Sequence, residues 1–201
     1  MAKVALFGTS ADPPHRGHRA ILQWLARRFD QVAVWAADNP FKAHQTALND
    51  RAAMLSLLIQ DLEAPHQNVQ LYPELSHSRT LFSVEQAQQV WPQAELYLAI
   101  GADLVQQLPR WYRAAEILRQ VNIVIFPRPG YTVKEQDLAQ LRQLGAAVTI
   151  AEGPELHDVS STEYRQCEDN AEVPTIVQAY IDQNDLYLCP ENSKEKLPTR
   201  S

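Results

Sequence analysis

Six short, largely apolar runs constrain this chain more than any other feature. They are residues 4–7 (VALF), 32–35 (VAVW), 69–71 (VQL), 96–100 (LYLAI), 122–126 (NIVIF) and 148–150 (VTI). Runs this short and this apolar read as strands of a parallel sheet covered on both faces. Between them lie stretches with apolar residues at helical spacing. Ile21, Trp24 and Leu25 follow the first run, with Arg27 and Arg28 closing that helix. Met54, Leu58 and Leu62 line one face of a second helix, which Asn49 or Asp50 would cap. Residues 81–90, 114–119, 134–144 and 174–183 complete the helices, and Gly145 is a stop signal for the third of these. Strands alternating with helices predict an α/β fold, a parallel sheet with right-handed crossovers. At 201 residues the chain suits one domain with a substantial core.

In such a sheet ligands bind beyond the carboxyl ends of the strands. The loops after residues 7, 35, 71, 100, 126 and 150 should therefore share one rim. The residues with chemistry fall in those loops: His15 and His18, Lys42, Arg79 and Thr80, Asp103 and Trp111, Arg128, and the segment 160–165. The net charge of −6 argues against a general nucleic-acid binder, yet leaves room for a local basic pocket that takes a small phosphorylated ligand. No apolar stretch approaches the roughly 18 residues of a membrane span. The apolar run at the N-terminus is too short for a secretory signal. Cys167 and Cys189 form no CxxC pair and read as unlinked thiols in a reducing compartment. The expectation is a cytoplasmic protein with neither membrane nor nucleic acid as partner.

The loop after the first run reads FGTSADPPHRGH, residues 7–18. Gly8 ends the strand and permits close approach of a ligand to the backbone. Pro13 and Pro14 stiffen the turn. If a helix begins near His15, the rings of His15 and His18 share one face of its first turn. Unpaired N–H groups and the positive end of the helix dipole would lie beside them, which together suit a polyphosphate. The same pair would also serve as surface or capping histidines, or as two ligands of a metal. At the other end of the chain Ser160, Ser161, Thr162 and Arg165 combine a helix cap, hydroxyls and a fixed cationic fork suited to phosphate oxygens. Taken alone, that segment is equally a plain capping motif.

PPHRGH matches the HxGH signature of the nucleotidyltransferase superfamily. The whole phrase FGTSADPPHRGH resembles the FGG[ST]FDPPHxGH opening of nicotinate-nucleotide adenylyltransferases. Thr9 stands for the second glycine and Ala11 for phenylalanine. Residues 158–165, DVSSTEYR, are similar to the family's [DI]SSTxIR, with Tyr164 in place of an aliphatic residue. The resemblance runs over about residues 3 to 188, which gives one nucleotidyltransferase domain over 1–188 and leaves 189–201 as a polar, disordered tail. It implies a Rossmann-like, doubly wound parallel sheet of the nucleotidyltransferase type with a small helical C-terminal part.

The activity implied is adenylyl transfer from ATP to nicotinate mononucleotide, with Mg²⁺ accompanying the nucleotide. His15, His18 and Arg165 would be catalytic. Gly8, Thr9, Gly101, Asp103, Arg128, Ser161 and Thr162 would join them in binding ATP. Ser10, Lys42, Arg79, Thr80 and Trp111 would bind the mononucleotide. No protein ligand of the metal is implied, and a homo-oligomer is compatible with the pattern. Lys42 ends a segment similar to the family's PPHK, with Phe41 for histidine. Arg79 replaces the tyrosine of SYTxxT, and a guanidinium there would favour a carboxylate over a carboxamide. The same fold also transfers nucleotides to nicotinamide mononucleotide, phosphopantetheine or polyol phosphates. A nucleotide-sensing module without turnover is the alternative of a different class.

Overall fold

A computed structural model of the chain describes residues 1–38, 46–63, 66–154, 161–165 and 172–187. The strands are β1 (Lys3–Thr9), β2 (Gln31–Ala36), β3 (Val69–Leu71), β4 (Glu95–Gly101), β5 (Asn122–Phe126) and β6 (Val148–Ile150). The helices are α1 (Arg16–Ala26), α2 (Leu48–Gln60), α3 (Thr80–Val90), α4 (Ala114–Gln120), α5 (Glu135–Gln143), α6 (Ser161–Arg165) and α7 (Thr175–Gln183). All six predicted runs are strands. Every pairing is parallel, in the order β3-β2-β1-β4-β5-β6. This is the doubly wound order, and it reverses between β1 and β4.

The alternation of side chains along each strand divides the core into two layers. Val4, Leu6, Ala33, Leu96, Leu98, Ile123 and Ile125 face α3, α4 and α5 through Leu81, Val84, Ile117, Leu118, Leu138 and Leu141. Ala5, Phe7, Val32, Val34, Ala99, Val124 and Phe126 face α1, α2 and α7 through Leu22, Leu25, Met54, Leu58, Val177 and Ile181. The C-terminal α7 thus closes the layer begun by α1.

Three local departures have clear causes. α2 starts at Leu48 with Ala47 in the cap position and no side-chain cap bond, so Asn49 and Asp50 lie inside the helix instead of capping it. Leu62 lies beyond its last turn. Short 3₁₀ turns at Pro73–Leu75, Ala102–Leu104 and Leu108–Arg110 occupy loops that carried no periodic signal. Lys42, Ser160, Cys167, Cys189 and the expected tail 189–201 lie outside the described residues.

Candidate active site

The point where strand order reverses is the natural crevice of this architecture, and the loop from Thr9 to His18 leaves β1 there. His15 is the N-cap of α1 and His18 its third residue, and the two side chains form a reciprocal capping box. His15 Nδ1 accepts from the Gly17 N–H at 3.1 Å. His18 Nδ1 accepts from the His15 N–H at 3.2 Å. The ring centroids are 4.0 Å apart. With Nδ1 accepting in both, each neutral ring carries its proton on Nε2. His18 Nε2 accordingly donates to Thr9 Oγ1 at 2.9 Å. Thr9, a departure from the family pattern, therefore supplies the hydroxyl that fixes His18.

This geometry explains two glycines. A Cβ on Gly17 would fall 2.9 Å from the His15 ring, so the capping imidazole can fold back only over glycine. A Cβ on Gly8 would lie 2.6 Å from the indole of Trp35. Packing beneath that indole therefore demands glycine at position 8, independently of any ligand.

The expectation of unpaired N–H groups in the first turn of α1 is not met. The Arg16 N–H donates to the Glu172 carbonyl at 2.9 Å and the His18 N–H to the His15 carbonyl at 2.9 Å, while the Gly17 N–H is taken by His15. The imidazoles take up the helix end through Nδ1, and the Nε2 of His18 is engaged by Thr9. Burial, followed by the positive charge of Arg128, lowers the pKa of His15 to about 4. The ring is neutral at pH 7, a hydrogen-bond donor and not a cation.

The two distant motifs meet. Ser161 Oγ donates to the Pro13 carbonyl at 2.8 Å, so this hydroxyl stitches α6 to the loop. Arg165 Nη1 donates to the Asp12 carbonyl, and Nη2 to Thr162 Oγ1 at 3.2 Å. Asp12 is 2% exposed, and its Oδ1 accepts from the Tyr187 hydroxyl at 2.5 Å. Burial and that carboxylate raise the Tyr187 pKa, so the phenol stays a donor. Tyr164 packs edge-on against Tyr187, with ring centroids 5.6 Å apart.

Beneath the loop, the buried guanidinium of Arg51 binds three backbone carbonyls: Thr46 at 2.9 Å, Ser10 at 3.1 Å and Ala37 at 2.8 Å. Asp12, Tyr187 and Arg51 were not singled out from the sequence. Arg51 did carry a signal, because it shares a helix face with the buried Met54, Leu55 and Leu58.

Across the crevice, Arg128 Nη1 donates to Asp103 Oδ2 at 3.3 Å. A Cβ on Gly101 would meet Asp103 Oδ1 at 2.4 Å, so glycine lets this carboxylate fold over the strand end. A cavity of about 490 Å³ borders Asp103, and Gln107, Gly130, Tyr131 and Lys134 are among its other lining residues. Farther along the rim, Thr80 opens α3 and the Arg79 guanidinium lies 4.0 Å from the centre of the Tyr112 ring. Trp111 is half-buried against the core, and the more exposed ring beside it is Tyr112. Among the described residues, no cluster of three or more His, Cys, Asp or Glu side chains could hold a metal, and no helix is long and apolar enough to cross a membrane.

A doubly wound sheet with paired imidazoles at its switch point and a guanidinium returning from the far end of the chain defines a nucleotidyltransferase. The cytidylyltransferase-like family model matches residues 6–167. Within that class, a Synechocystis chain named "Probable nicotinate-nucleotide adenylyltransferase" is 48% identical over 197 residues, covering 92% of this chain and 98% of its own length. The Bacillus subtilis nicotinate-nucleotide adenylyltransferase is 27% identical over 197 residues, covering 93% and 99%. Among solved structures, the Plasmodium falciparum nicotinic acid mononucleotide adenylyltransferase complexed with NaAD superposes with a TM-score of 0.80 at 17% identity, over 93% of this chain and 98% of that one. The chain belongs to the nicotinate-nucleotide adenylyltransferase family.

Proposed function

We propose that this chain transfers the adenylyl group of ATP to nicotinate mononucleotide, releasing pyrophosphate and deamido-NAD. The observation that carries the reading is the meeting of the two motifs on one loop: His15 and His18 on its helical side, and Ser161 and Arg165 bonded to Pro13 and Asp12. An oxygen of the mononucleotide phosphate forms a bond to the α-phosphorus. The bond from that phosphorus to the bridging oxygen breaks, and pyrophosphate leaves with the electron pair. A phosphate dianion needs no base, so catalysis rests on alignment and on stabilising charge as it develops.

His15 and His18 would serve the α- and β-phosphates through Nε2, and Thr162 and Arg165 the β and γ. The His18 Nε2–H, held by Thr9 in the free protein, would turn to the phosphate. Asp103, Gly101 and Arg128 would flank the adenosine. Thr80, Trp111 and the Arg79–Tyr112 pair would take the pyridine, with the guanidinium nearest its carboxylate. Ser10 and Lys42 would meet the mononucleotide phosphate. Among the described residues, Asp12 is engaged by Arg165 and Tyr187 and Asp103 by Arg128, and Mg²⁺ would arrive on the triphosphate as part of the substrate, neutralising its charge.

The test is pyrophosphate release from Mg-ATP with each acceptor in parallel. Nicotinate mononucleotide should turn over at least tenfold faster than the nicotinamide form, and phosphopantetheine should not react. Release with none of them would overturn the enzymatic reading. A tenfold preference for the amide would overturn the acid.

A further inference from the structure

We infer that Asp12 is a positioning residue that sets the Arg165 guanidinium for the triphosphate, with Tyr187 holding Asp12 in turn. The inference rests on the reading of the site given above. Residues 12, 165 and 187 converge from a loop, a short helix and the segment after α7. Asp12 is 2% exposed. One carboxylate oxygen accepts from Tyr187, and the other lies 3.8 Å from Arg165 Nη1. The same Nη1 also donates to the Asp12 carbonyl, and Nη2 donates to Thr162. One edge of the guanidinium is thus held by the protein, while the Arg165 side chain remains 34% exposed.

Packing alone does not call for this arrangement. An apolar side chain would fill the space without the desolvation cost of a buried carboxylate. What the carboxylate adds is direction. Arginine is long and rich in rotamers, and a cation that must be ordered on binding weakens the complex. With Asp12 and Thr162 gripping the fork, Arg165 is ordered before ATP arrives. Tyr187 gives Asp12 the same service, and Tyr164 braces the Tyr187 ring. The segment after α7 thereby contributes to phosphate binding without touching phosphate.

Asp12→Asn keeps the shape and the acceptor for Tyr187 but removes the charge that faces Arg165. It should raise the KM for ATP, and the Kd for α,β-methylene-ATP, at least fivefold. The KM for nicotinate mononucleotide should stay within twofold and the thermal midpoint within a few degrees. In an Arg165→Ala background the same substitution should change the ATP terms less than twofold, because its route is gone. Tyr187→Phe should act in the same direction and more weakly, and it decides the matter should Asp12→Asn not fold. Equal rises in both KM values, full additivity with Arg165→Ala, or unchanged ATP binding in Asp12→Asn or Tyr187→Phe would overturn the inference. The Kd for the analogue requires no turnover. A wild type that binds it and releases no pyrophosphate would therefore defeat the proposed reaction alone, and the Asp12 and Tyr187 variants would still decide the positioning role by their analogue affinities.

Discussion

The two ends of the crevice are built by different physics. At the histidine end the loop from Ser10 to His18 has no regular structure before His15. Its carbonyls at Ser10, Asp12 and Pro13 are nonetheless claimed by Arg51, Arg165 and Ser161, and its imidazoles cap a helix. At the other end, Arg79 and Tyr112 are both exposed and meet by a cation–π contact, with Phe82 6.1 Å from Tyr112. The first end is ordered by directional bonds from separate elements. The second is a surface platform with area to offer and little to fix it. Under the proposed reaction, chemistry that demands in-line geometry would fall to the first, and discrimination between acceptors to the second.

The contrast yields predictions of descending size. His18→Ala should lower turnover by about 10²–10³-fold, the scale for losing one donor to a developing anion, while the KM for the mononucleotide moves far less. Turnover within about tenfold of wild type would remove the phosphate role from the ordered end. Arg51→Met leaves three carbonyls without their donor. At about 1–3 kcal/mol for each unpaired group, the variant should lose at least ~3 kcal/mol in a denaturant titration.

A third prediction concerns pH. The folded pKa of His15 is about 4, below the ordinary value of about 6.5. The unfolded chain therefore takes up a proton there while the folded ring stays neutral. Stability present above about pH 6.5 should fall as the pH drops to 4, by up to about 3 kcal/mol, and flatten for this group below that. His15→Gln should remove that part of the slope, as denaturant midpoints across the range would reveal. At the open end the effects should be smaller. Arg79→Gln should reduce the preference for acid over amide by about tenfold, or ~1.4 kcal/mol, with kcat for the acid little changed. Tyr112→Leu should cost about two- to fivefold in mononucleotide KM, the scale of an exposed cation–π contact. A kcat loss at Arg79 or Tyr112 as large as that of His18→Ala would erase the division between the ends.

The inner strands were legible because burial on both faces leaves near-continuous apolar runs, and the partly exposed edge strands β3 and β6 showed only as three-residue runs broken by Gln70 and Thr149. The histidine pair was legible as a helix start, since three-residue spacing at a cap puts both rings on one turn. The occupation of the first-turn N–H groups was not legible, because one partner, the Glu172 carbonyl, is more than 150 residues away and a backbone acceptor leaves no mark in side-chain pattern. Asp12 stood in plain view in the loop after β1, but its burial depends on Tyr187, which follows the last helix with no periodicity to announce it. Arg51 broke an apolar stripe and could have been flagged on that ground. Tyr112 and Trp111 are neighbours in a loop, and nothing in their order tells which one packs and which one faces out.

The bond between Asp12 and Tyr187 spans 175 positions. A ribosome that has finished β6 has already made every strand of the sheet, yet none of the residues that secure the turn from α6 or from the segment after α7. The nascent molecule would hold all six of these strands while the loop at Asp12 and Pro13 still waited for its partners, and that grip would close only once α6 and the segment after α7 had been made.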